Sequence, residues 1–184
     1  MNADGSIPTC ATDSLTRLGE LLAVAGKRLT APPEDLLALA PTVSGWSPAQ
    51  HLFHLVLACD LSFRNVSSLV RERGRLIRDP EERHAEGLGY LSAGKLPRGR
   101  AEAPRFVRPP ERIDFELLAE LHREACEACA EFARDPAAVD RAPKAIPHQL
   151  LGDLSASEWL RFAEVHTAHH LAILDEVRAE LGLG

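Results

Sequence analysis

Long apolar runs, surplus positive charge, aromatic side chains and cysteines are all scarce in this sequence, and each shortage excludes something. No stretch approaches the roughly 20 apolar residues that span a bilayer, so no integral membrane protein is expected. Lys and Arg total 21 against 27 Asp and Glu, a formal net charge of −6. A protein that grips nucleic acid by neutralising phosphates carries the opposite sign. Aromatic residues make up only 5% and do not interleave with the basic residues, so a base-stacking platform is not expected either. The four cysteines, Cys10, Cys59, Cys126 and Cys129, are too few and too unevenly spaced for a disulfide scaffold, and three lie in helical patterns. Met1 to Ala11 has neither the basic start nor the apolar core of an export signal. A reducing, cytoplasmic setting is the expectation.

What is present is helical periodicity. The 184 residues, 45% hydrophobic and 26% charged, suit one globular domain over 1–184, with residues 1–11 a flexible start. A first helix is predicted from about Asp13 to Leu29, with Leu15, Leu18, Leu22 and Leu29 on one stripe. A short turn follows at Glu34 to Ala40. The second helix has a legible start: Ser47 caps it, Pro48 takes the first helical position and Gln50 completes a capping box. It reads through Leu52, Val56 and Leu61 to about Arg73. From Gly74 to Arg112 the pattern fails, with five Pro and five Gly and a locally basic composition. An irregular insertion of this length is usually functional or mobile. The third helix starts near Asp114. The last opens on a second capping box, Ser155 to Glu158, and continues to about Leu181. No alternating strand is evident. The expected fold is all-α: a four-helix bundle with a long irregular insertion between helices 2 and 3.

Histidine is the unusual ingredient, with eight in the chain. His166 and His170, four apart, share one helical face and can reach a common point. Taken alone, such a pair is as compatible with a solvent-facing or core position as with a metal. A third histidine, His54, lies in the apolar body of the second helix, where a lone imidazole is awkward. Bundle cores build metal sites from side chains on facing helices. Three neutral imidazoles suit a divalent Zn, Ni, Co or Fe and leave a position open for water or substrate.

The segments around these histidines resemble the DinB-like superfamily of four-helix metalloproteins. Trp46-Ser47-Pro48-Ala49-Gln50-His51-Leu52-Phe53-His54 is similar to its second-helix signature, in which a ligand histidine stands eight residues after the Trp. His166-Thr167-Ala168-His169-His170 resembles its last-helix motif, whose first and last histidines bind metal. His148 to Ser155, followed by Glu158-Trp159, is similar to the approach to that helix in a less characterised branch. The resemblance covers essentially the whole chain. It implies a bundle, often a homodimer, holding a metal through His54, His166 and His170. It also implies chemistry on small molecules: known members transfer low-molecular-weight thiols such as bacillithiol or mycothiol, or isomerise maleylpyruvate with a thiol. Ala172 and Ile173 replace the usual polar residues after the last ligand, which bears on the substrate. Ala172 also stands where sulfoxide synthases of the related kind carry Glu, which argues against that chemistry.

The resulting expectation is an enzyme with a three-histidine divalent-metal site, transferring a small thiol to an electrophilic small molecule. A hydrolase using the same site and a non-catalytic, stress-related metal-binding bundle are the alternatives. No nucleic acid or membrane partner is expected. His148 is the candidate catalytic residue, as a general base or to orient a substrate, with local backbone capping as its plain reading. His51 and His169 are expected beside the ligands or exposed. Trp46 and Trp159 read as packing residues, and Tyr90 as an anchor or a cover of the pocket. Cys126 and Cys129 read as buried hydrophobes. Asp60 and Glu164 are near enough in sequence to the ligands to be candidate bases. The insertion's arginines read as a solvated loop or as an attraction for an anionic substrate.

Overall fold

The structure is a computed structural model that describes residues 10–81, 84–99 and 102–183. Its frame is four helices: α1 (Ala11–Arg28), α3 (Pro48–Val70), α5 (Phe115–Phe132) and α7 (Ala156–Glu180). Shorter helices α2 (Pro33–Leu37), α4 (Ala85–Ala93) and α6 (Pro136–Asp140) punctuate the connections. α1 and α3 each pack on both α5 and α7, and the α3–α7 contact is the most extensive. The mostly helical, bundle-type architecture read from the sequence is the one observed.

Local chemistry fixes the two helices that matter most for function. At the start of α3, Gln50 N donates to Ser47 Oγ (3.3 Å) and Ser47 N donates to Gln50 Oε1 (3.0 Å). Glu158 N donates to Ser155 Oγ (3.3 Å) and Ser155 N to Glu158 Oε2 (2.9 Å) at the start of α7. These boxes satisfy amide groups that a helix end otherwise leaves unpaired. α1 starts at Ala11, two residues before the expected Asp13, because Asp140 Oδ1 accepts from Ala11 N (3.1 Å). The same carboxylate accepts from Ser157 Oγ (2.6 Å), so one acid ties the beginnings of α1 and α7 together. Ala11 is fully buried and belongs to the helix, not to a flexible start. Cys10, just before it, is exposed, and residues 1–9 of the expected flexible segment lie outside the described residues.

The connections differ from the sequence reading, in which α6 is also loop. A two-stranded antiparallel hairpin, β1 (Ala145–His148) and β2 (Gly152–Ser155), precedes α7. Each strand is only four residues long and Pro147 sits within the first, so no alternation was visible. The insertion also contains α4 and a 3-10 turn at Arg105–Val107, where only irregular chain was expected. α4 is nine residues long, and glycines interrupt its apolar pattern.

The insertion is fastened to the hairpin. Arg78 exchanges both backbone hydrogen bonds with Ala145 (3.0 and 2.9 Å), adding a one-residue rung to the sheet. Its guanidinium donates from Nε to Asp153 Oδ1 (2.8 Å), and Glu81 N donates to Asp153 Oδ2 (3.0 Å). Asp153 is wholly buried, so these partners replace the water its carboxylate gave up. Further on, Gly87 of α4 meets the turn of the hairpin. A Cβ there would lie 2.8 Å from Leu151 Cα, so the close approach requires glycine.

Candidate metal centre

α3 and α7 bring His54, His166 and His170 together. The rings of His166 and His170 are 4.5 Å apart, and His54 lies 4.9 and 4.6 Å from them. Each offers one nitrogen to a group whose atoms all fall within 4.8 Å of one another. His54 and His170 are buried and His166 partly so. The spacing within α7 follows from one helical turn, whereas His54 arrives only because α3 packs along α7.

Hydrogen bonds settle which nitrogen faces inward. His54 Nδ1 donates to the Val107 carbonyl (2.7 Å), leaving the Nε2 lone pair directed at the cluster. His54 Nε2 and His166 Nε2 are 3.1 Å apart. Two nitrogens on a tetrahedral ion, each about 2.0–2.1 Å from it, lie about 3.3 Å apart, so this spacing fits a shared divalent ion. His166 Nδ1 is buried without a hydrogen-bond partner, the only such side-chain nitrogen or oxygen found among the described residues. It is the ring nitrogen opposite the one that faces His54, so an ion held through Nε2 would leave it unpaired. The spacing and the three-imidazole donor set fit a metal bound by these rings.

His170 is held from behind. Its Nδ1 lies 3.0 Å from His51 Nδ1, and His51 Nε2 lies 2.8 Å from Ser44 Oγ. For His170 Nε2 to offer a lone pair, Nδ1 must carry the proton and donate it to His51. His51 is then protonated on Nε2 and donates to Ser44, whose oxygen also accepts from Trp46 N (3.1 Å). This Ser44–His51–His170 chain holds the orientation of His170 and accommodates the tautomer a metal needs, as partners of metal-binding histidines commonly do. The sequence placed His51 only as a neighbour of His54; the packing of α3 on α7 makes it a neighbour of His170.

Burial sets the protonation of the cluster. It pushes His54 below its ordinary value, against the opposing effect of its bond to Val107. His166 and His170 lie well below, through burial first and then the neighbouring imidazoles. His51 is lowered to about 4 for the same reasons. At neutral pH the rings are uncharged and their lone pairs are available to a cation.

The cluster opens onto a cavity of about 1210 Å³, walled largely by the insertion and the hairpin. Trp46, expected only to pack, lies in this wall with its ring 5.4, 5.0 and 6.2 Å from those of His51, His54 and His170. No signal in the sequence separates that role from packing. Trp159 is buried and donates from Nε1 to Ile146 O (3.2 Å), as a packing residue should. Tyr90 lines the cavity from α4 and donates to Glu86. His169 lines it too, edge-on to His170 at 5.3 Å.

His148 also lines the cavity, between Trp159 and Phe162 at 5.4 and 4.6 Å. Its Nδ1 accepts from Leu150 N (3.2 Å), so the neutral ring carries its proton on Nε2. Burial lowers its pKa to about 4. At neutral pH its remaining nitrogen is therefore a hydrogen-bond donor, which suits orienting a ligand better than abstracting a proton. Asp60 and Glu164 do not line the cavity; they pair with Arg64 and Arg161. The cysteines are free, and burial raises Cys59 to about 12 and Cys129 to about 11, which makes them packing groups rather than nucleophiles.

The DinB superfamily matches the chain over residues 17–174. The protein belongs to the DinB superfamily. That span contains all three clustered histidines. No curated protein and no solved structure matches the chain. No helix among the described residues is long and apolar enough to cross a membrane.

Proposed function

We propose that this DinB-superfamily protein is a metal-dependent enzyme that joins a small thiol to an electrophilic small molecule. The observation carrying the proposal is the buried His54–His166–His170 cluster at the wall of a substrate-sized cavity. A purely structural metal is normally enclosed by protein ligands, whereas a catalytic one keeps a position open to solvent or substrate. A divalent ion held here would supply Lewis acidity, lowering the pKa of a thiol or water beside it. The chain's own residues do the rest. Val107 holds His54 in one tautomer, the Ser44–His51 pair holds the His170 ring in place, and Trp46 shields them. His148 donates its Nε2 proton to a hydrogen bond with the electrophile. In the transfer, the thiol loses its proton to solvent and sulfur bonds to the electrophilic carbon. The leaving group departs with the electron pair of the broken bond.

The test is thiol consumption by metal-loaded protein, across small thiols paired with alkylating or aromatic electrophiles. Turnover that needs both thiol and His166, and falls in His166→Ala, supports the assignment. Product formed at the same rate without thiol makes the site a hydrolase. A metal-loaded protein that accelerates neither reaction contradicts the enzymatic reading.

A further inference from the structure

Seven large apolar side chains stand exposed among the described residues, and three of them line one cavity. Leu76 is 61% exposed, Phe106 66% and Leu150 50%. They come from three separate segments: the chain after α3, the 3-10 turn and the turn of the hairpin. Inside the same cavity lie Leu151, Ile146 and Phe162, all buried. Apolar surface thus runs inward from solvent toward the histidines. Exposed apolar side chains gathered around a cavity mark a binding site more often than they occur by chance.

Charge does not compete for that role. Arg98 forms two hydrogen bonds with Glu176 (2.7 and 2.6 Å), and Arg108 faces Glu102 at 3.6 Å. Glu86 accepts from Tyr90. The charged groups of the cavity wall are thus engaged with the protein itself. Arg98 and Arg108, the two arginines of the cavity wall, each face a carboxylate of the protein.

We infer that the cavity takes a small molecule with an apolar alkyl or aryl body, seated against Leu76, Phe106 and Leu150, and a polar reacting end at the histidines. This names the class of electrophile and rests on the proposed function for the identity of the reacting end.

Straight-chain hydroxamates from acetyl to octanoyl test it by titration calorimetry, with and without added zinc. The head group reads the histidine site and the chain reads the apolar mouth. Affinity should rise about fourfold per methylene as each is buried, whether or not zinc is present. The triple variant Leu76→Ser, Phe106→Ser, Leu150→Ser alters only exposed side chains. It should flatten that slope and leave acetohydroxamate affinity in zinc unchanged. A flat slope in the wild-type protein, or an undiminished slope in the variant, overturns the inference. If zinc fails to strengthen acetohydroxamate binding, the metal assignment fails, while the chain-length slope still decides the apolar mouth.

Discussion

His51 shows how much of a metal site resides in residues that never touch the ion. With Ser44 it holds the His170 ring from behind and can accept its Nδ1 proton, and it is buried at 2% exposure. His51→Ala should leave His170 free to turn and to change tautomer, lowering zinc affinity about 10–100-fold. Competition against a chromophoric chelator measures this; unchanged affinity would show that the chain is incidental. His148 makes a different prediction. Its folded pKa, about 4, lies below the roughly 6.5 of an unfolded histidine, so the unfolded chain binds the proton more readily. The stability it contributes is intact above about pH 6.5 and is lost as pH falls toward 4. His148→Gln, which cannot titrate, should lose less stability than wild type between pH 7 and 4.5. Thermal unfolding of the metal-free pair checks this, and parallel pH profiles would contradict it. The sequence exposed these residues unequally. The His166–His170 pair is visible because a helix places residues four apart on one face. His54 stood out as a lone imidazole within an apolar helix, and the engagement of His51 with His170 depends on packing across 119 residues.

At the scale of elements, local rules were legible and long-range ones were not. Ser47 and Ser155 announce their helices because a capping box is complete within four residues. The hairpin and α4 were missed because each is short and interrupted by Pro or Gly, and because each is stabilised by the other. Gly87 and Asp153 carry that mutual support. Gly87→Ala should drive a methyl group into Leu151 and cost about 1–3 kcal/mol, seen as a lower unfolding midpoint. Arg78→Ala should leave the buried Asp153 carboxylate short of its main partner and destabilise by about 3–5 kcal/mol. In denaturant unfolding, adding Asp153→Asn to Arg78→Ala should recover part of that loss. Strictly additive losses would show that the pair is not coupled.

Over the whole molecule, a helical frame holds the histidines and an irregular insertion builds the space beside them. The frame was readable from periodicity because each helix buries one stripe. The cavity was not, since its walls come from α4, the 3-10 turn and the hairpin, joined through Arg78 and Asp153. The insertion therefore governs what reaches the histidines and orients His54 through Val107, while the bundle brings the three rings together. Everything at the site depends on this geometry holding a divalent ion. Elemental analysis of untagged protein purified without chelator, beside His54→Ala and His170→Ala, tests it most directly. Near-stoichiometric Zn, Ni, Co or Fe in the wild-type protein, absent from both folded variants, is the predicted result. No metal on isolation and no uptake on addition at pH 7–8, where the imidazoles are neutral, would contradict it.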